Sequence, residues 1–162
     1  MMSTWDNADG LRVKFGTSEA DATPKAGFMN TGGNQYNELV IDFLYSDLST
    51  TSVTVIGAGC PIPNGARIIS ATLYVDTAFD SAAEGASLDL GFIDQDLTTE
   101  LDYDGLDDGI LEADIDAAGD VIECDGVLID TDLTNAGIVV AKAQGEAFTA
   151  GRGILTIQYY NT

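Results

Sequence analysis

Apolar and polar residues alternate with period two along much of this chain. The pattern is clearest over residues 68–76. Ile69, Ala71, Leu73 and Val75 fall on one side, and Ser70, Thr72, Tyr74 and Asp76 on the other. Such alternation predicts a strand with one buried face and one wet or partly covered face. The preceding stretch Ile62-Pro63-Asn64-Gly65-Ala66-Arg67 predicts a turn, with Pro63 presetting φ and Asn64-Gly65 completing the reversal. Leu11, Val13 and Phe15 alternate with Arg12 and Lys14 in the same way. So do Leu39, Ile41, Phe43 and Tyr45 with Glu38 and Asp42, and Leu88, Leu90 and Phe92 with Asp89 and Gly91. Val53, Val55 and Ile56 predict a short strand stopped by Gly57-Ala58-Gly59. Residues 46–51 and 81–86 read as turns. Val121-Ile122, Val127-Leu128-Ile129, Ile138-Val139-Val140 and residues 154–160 are apolar runs bounded by glycines, read as strands covered on both faces. Eight or nine short strands at this spacing predict an all-β chain, a single-domain β-sandwich or jelly-roll-like barrel.

Three stretches break the pattern. Residues 1–10 hold one aromatic, Trp5, in a polar setting and read as an N-terminal arm, with 11–162 as the domain. Trp5 is expected either to fold back onto the domain or to anchor in a neighbour. Residues 16–36 are rich in small residues, lack a period and predict a long N-terminal loop. Phe28 and Met29 lie inside it, tucked into the core by default or placed against another subunit. Residues 94–125 hold 13 acids and no base and read as an acidic insertion. Within it, Ile110, Leu111, Ala113, Asp114 and Ala117 predict a turn or two of amphipathic helix ending at Gly119.

Charge narrows the partners. The 162 residues carry 27 acids against six bases, a formal net charge of −21. Nucleic acid would be repelled, and so would an anionic membrane surface. No base falls between Ile68 and Ala141, where 19 acids lie. That field reads either as solvated surface in a salty medium or as a docking face for a basic partner. No apolar run approaches the ~20 residues that span a bilayer. The N-terminus lacks the basic and apolar regions of a secretory signal, which points to synthesis in a cytoplasm. Cys60 and Cys124 both sit among apolar residues and read as two buried free thiols rather than a disulfide framework.

Candidate chemistry is sparse. The sequence contains no histidine, which removes the commonest general base and the Ser-His-Asp and Cys-His arrangements. Two cysteines without histidine do not make a structural zinc site. Gly57-Ala58-Gly59 lacks the third glycine of a dinucleotide fingerprint. Carboxylates are abundant, but among so many some pair meets any glycosidase spacing by chance. Calcium takes oxygen ligands, and an EF-hand loop started at Asp104 places Asp108 and Gly109 correctly. It then puts Leu106 and Ile115 where carboxylates belong, so that loop fails. A less regular calcium site on Asp102, Asp104, Asp107 or Asp108 is the remaining metal candidate, with a solvated acidic loop as the plain alternative.

Three stretches carry a wider likeness: residues 9–16 (Asp9-Gly10-Leu11-Arg12-Val13-Lys14-Phe15-Gly16), residues 62–75, and residues 148–160. Together they resemble small virion structural proteins of tailed bacteriophages, especially aquatic ones. The resemblance is one of composition and spacing across residues 9–160, and the central stretch also resembles strands of adhesive β-sandwich domains. It implies a non-enzymatic head-decoration (cement) protein on the capsid exterior, often a homotrimer, that ties neighbouring major capsid subunits together. Under that reading Trp5, Phe28 and Met29 are expected as apolar anchors, and Arg12 and Lys14 as partners for acids on the shell or a sister subunit. No cofactor is expected. The alternative is a receptor- or glycan-binding β-domain of a tail fibre or other appendage. Its sugar site would use Tyr103 beside Asp102 and Asp104, or Tyr159-Tyr160-Asn161.

Overall fold

The structure, a computed structural model, describes residues 36–57 and 60–161, together with the backbone of 4–6, 11–14 and 28–31. The described residues form twelve strands and two short 3-10 turns. The strands are β1 (Thr4–Asp6), β2 (Leu11–Lys14), β3 (Phe28–Thr31), β4 (Tyr36–Leu44), β5 (Thr54–Val55), β6 (Pro61–Ile62), β7 (Arg67–Ser81), β8 (Ser87–Asp94), β9 (Glu100–Leu111), β10 (Val121–Glu123), β11 (Gly137–Gln144) and β12 (Phe148–Tyr160). The pairings are antiparallel. A four-stranded sheet runs β10-β7-β12-β4, and a five-stranded sheet runs β5-β11-β8-β9 with β6 also on β11. Their inner faces share one hydrophobic core, to which Phe43, Leu73, Leu90, Phe92, Val139 and Leu155 contribute from both sheets. The chain is thus an all-β sandwich, as its alternation predicts.

Strand β4 follows its sequence pattern up to Leu44, while Tyr45, expected in the same buried row, is exposed at the start of a 3-10 turn. Asn37, Leu39, Ile41 and Phe43 are buried, and the residues between them are exposed. In β7 the expected phase holds from Ala71 onward but fails before it. Ile68 is fully buried and Ile69 is not, because the register with β12 slips between Gln158 and Tyr159. A β-bulge puts two residues against one and flips the phase of everything before it. A second slip comes at Gly151 (φ 133°), over which Phe79 packs, and Phe79 in turn meets Phe148 edge-on at 5.2 Å. Strand β11 is covered on both faces as expected. In β12, however, Leu155, Ile157 and Tyr159 are buried and the alternate residues half-exposed.

The acidic stretch folds differently from expectation. It supplies β9 and β10 to the two sheets. The helix expected over residues 110–117 is absent. Ile110 and Leu111 pair with Leu88 and Ser87, and a 3-10 turn over Glu112–Asp114 follows. Strand pairing takes the backbone groups a helix would need, and the Glu112 carboxylate is drawn inward to Ser81. The strand expected at Val127–Ile129 is a turn instead, with Asp130 in the left-handed region at φ 61°. Its amides reach the other sheet: Gly126 N–H donates to Leu106 O (2.9 Å) and Leu128 N–H to Gly105 O (2.8 Å). On the opposite flank Asp130 N–H donates to Ile68 O (2.7 Å) and Leu133 N–H to Ala66 O (2.8 Å). Residues 124–133 therefore stitch the edge of β7 to β9 and close one side of the sandwich. Among the described residues the other side is open, with β4 and β5 flanking a groove.

Candidate functional site

The five anchor candidates all lie in a separate three-stranded sheet, β1-β2-β3. Its register sets Trp5 opposite Val13 and Val13 opposite Met29. Arg12 stands between Asp6 and Asn30, and Lys14 between Thr4 and Phe28. Phe28 and Met29 thus fall in a strand, where the sequence suggested an aperiodic loop. Asn30 and Thr31 complete that strand and Tyr36 opens β4, while residues 16–27 and 32–35 of the expected loop lie outside the described residues. The backbone register brings Trp5 and Met29, 24 positions apart in the chain, into one cross-strand row with Val13 between them.

Among the described residues, no group of three or more acids or cysteines is placed to hold a metal ion. The calcium candidates sit along β9. Asp102 and Asp104 come close enough to share a hydrogen bond, while Asp107 and Asp108 lie beyond the irregularity between the Phe92–Asp102 and Leu90–Asp107 pairs. Asp107 is buried against Cys124, and burial raises its pKa, with the nearby Asp125 charge adding to the effect. Asp102 is raised chiefly by burial and then by its hydrogen bond with Asp104. Asp89 on β8 is raised by burial too, although Gln144 Nε2 (2.6 Å) and Gly109 N–H (3.1 Å) donate to its carboxylate. The Cys124 thiol is pushed up to about 12 by burial and the adjacent Asp107. Both cysteines are free, with Cys124 buried and Cys60 only half-buried.

The open side of the sandwich holds a groove of about 650 Å³ lined by Val40–Asp42, Asp47 and Thr54–Gly57 among others. Its acids are already engaged. Arg152 grips Asp42 through two hydrogen bonds (2.9 and 2.5 Å) and reaches Asp76 at 3.3 Å. This holds the Asp42 carboxyl below its ordinary value, chiefly through the Arg152 hydrogen bonds. Asp47 accepts the Leu44 N–H at 2.9 Å. A general acid must keep a proton near neutral pH, and Asp42 is biased the other way. The sugar-site candidates are no better placed. Tyr103 packs against a small apolar cluster of Ile93, Ile138 and Val140, and Tyr159 is buried. Tyr160 stacks edge-on with Tyr36 at 5.5 Å.

Sequence reasoning missed the outer face of the four-stranded sheet. Val121, Tyr74 and Ile154 form one cross-strand row there, continued by Asp42. Arg152, clamped by Asp42 and Asp76, lies on the same face, and Arg67 at its far end engages Asp130 (2.8 Å) and Asp132 (3.3 Å). A signal was present: Val40, Leu44, Tyr74 and Ile154 occupy the phase of their strands that otherwise carries polar residues.

No protein-family model and no curated protein matches the sequence. Solved structures do match the fold. A chain of the cyanophage Pam1 capsid asymmetric unit aligns with TM-score 0.61 at 15% identity, covering 82% of this chain and 89% of that one. A chain of the acid-stable capsid of Helicobacter pylori bacteriophage KHP30 aligns with TM-score 0.55 at 17% identity, covering 78% and 87%. A chain of the Ralstonia phage GP4 capsid aligns with TM-score 0.53 at 16% identity, covering 81% and 86%. At these identities the likeness is one of fold: the chain has the β-sandwich found in chains of phage capsids.

Proposed function

We propose that this chain is a non-enzymatic virion structural protein that decorates and cements the outer surface of a phage capsid. Its partner in this reading is the major capsid protein, and it acts as a homo-oligomer, with a homotrimer favoured. The observation that carries the proposal is the fold likeness to chains of three phage capsids, which spans most of both chains in each case. The chemistry agrees: no histidine is present, and the groove acids of the sandwich are engaged in ion pairs and capping. A repeating shell rewards such a molecule, because many modest contacts made together become strong through effective concentration. The three-stranded sheet with Trp5, Phe28 and Met29 supplies the apolar anchors, and Arg12 and Lys14 pair with acids on the shell or on a sister subunit. The protein is made in the host cytoplasm and ends on the capsid exterior.

Quantitative mass spectrometry of purified particles tests this. A copy number comparable to that of the major shell protein is expected. A few copies per particle would replace decoration with an appendage. Removal of Trp5 tests the anchors separately: Trp5→Ala is expected to weaken decoration of stripped particles at least about tenfold, and unchanged affinity would remove that residue from the account.

A further inference from the structure

On the outer face of the β10-β7-β12-β4 sheet, large apolar side chains reach solvent. The centre of that face is apolar. Val40 and Leu44 of β4 lie diagonally beside Ile154, next to Tyr74 and Val121. These side chains are 55% (Val40), 45% (Leu44), 44% (Tyr74) and 57% (Val121) exposed. A sandwich face that meets only water alternates polar residues outward, whereas a contiguous apolar patch with a polar rim marks a contact surface. The rim here is acidic, with Glu38, Asp42, Asp76 and Glu123 on the same outward phase. Arg152 does not offset it, because Asp42 and Asp76 already share that one guanidinium.

We infer that this face docks a protein surface that is apolar at its centre and carries lysine or arginine at its rim. The inference rests on the decoration reading, in which that surface belongs to a shell subunit. It assigns the sandwich itself a shell contact, beyond the N-terminal anchors. Charge selects the occupant. A second copy would bring acidic rim against acidic rim, on chains of net charge −21 each. Nucleic acid is excluded by the same sign.

Oxidative footprinting of intact particles against the free protein is the direct test, with stripped particles and purified variants as its second arm. Tyr74 is expected to lose most of its labelling on particles. A Val40→Ser/Tyr74→Ser double variant, both positions being exposed, is expected to melt like the parent and to bind stripped particles at least about tenfold more weakly. Leu111→Ser, at an exposed site on the other sheet, is expected to bind as the parent does. Added salt is expected to weaken parent binding by screening the rim. Full labelling of Tyr74 on particles, or parent-like affinity of the double variant, overturns the inference and leaves decoration standing. A free oligomer that the double variant dissociates overturns it in favour of self-association. Absence of the protein from particles overturns both readings together.

Discussion

Glu112 shows what a single side chain does in this sandwich. Its carboxylate is buried and accepts Ser81 N–H (2.7 Å), Ser81 Oγ–H (2.6 Å) and Ala86 N–H (3.4 Å). It therefore pins both ends of the β7–β8 turn from the end of β9. Glu112→Ala leaves those donors buried without an acceptor and is expected to cost roughly 2–4 kcal/mol in urea unfolding. Glu112→Gln keeps one acceptor oxygen and puts a donor in place of the other, facing donors, and is expected to cost a large part of that. A parent-like midpoint for both variants would remove the pin. At Cys124 the thiol lies far above the pH at which thiolates form in cells. Alkylation at pH 8 is accordingly expected to modify half-buried Cys60 well before Cys124 in the native protein, as peptide mapping would show. Nothing in the local sequence marks Glu112. It sits among other acids, and only its three-dimensional neighbours separate it from them.

At the scale of elements, β9 is the instructive strand. Leu90 pairs with Asp107 and Phe92 with Asp102, so residues 103–106 of β9 stand opposite the single Gly91. The displaced backbone passes directly over that glycine, and a Cβ there would strike the Asp102 and Tyr103 main chain. Backbone cannot swing aside as a side-chain tip can. Gly91→Ala is therefore expected to cost at least about 2–3 kcal/mol, read as a fall in unfolding midpoint. A neutral substitution would show that the bulge is soft. The excursion also presents Gly105 O and Leu106 O to the turn at residues 126–128. This explains why the apolar run at Val127 became a turn: its amides serve β9 rather than a ladder of its own. Alternation in the sequence revealed β4 and most of β7, and it located β8, whose second face is covered too, Asp89 and Gly91 included. It failed where a bulge reset the phase, as at Ile68, because a shift of one residue exchanges the two faces.

For the whole molecule, the acids set the pH response. Asp89, Asp102 and Asp107 all have raised pKa values in the folded state, with burial the first cause of each. A raised carboxyl makes the folded state hold more protons than the unfolded one. Stability therefore increases as pH falls through the folded values toward the unfolded value near ~3.9. Relief of self-repulsion at net charge −21 has the same sign. Asp42 and Asp96 oppose it. Both are lowered, Asp96 to about 2 by the Thr98 and Thr99 donors, and their stabilisation is lost below the unfolded value. Melting temperature is thus expected to rise from neutral pH toward about pH 4 and to fall below that. Asp107→Asn is expected to flatten the rising limb, and a melting temperature that falls steadily from pH 7 would refute the assignment.

Local residues alone determined that this chain is a β protein without histidine chemistry. Period-two alternation, turn residues and composition act over a few positions, and no distant contact is needed to express them. They also determined the sign of its charge and therefore the partners it repels. Tertiary structure decided the rest. It turned the acidic stretch into β9 and β10, because pairing with β8 and β7 outweighed a weak helical pattern. It set Trp5, Val13 and Met29 in one row of a small sheet, and it joined Tyr74, Val121, Ile154 and Val40 into one outer patch. Those groupings depend on cross-strand register between segments far apart in the chain, as with Thr156 opposite Val40, and register is a property of the assembled sheets that no single segment contains.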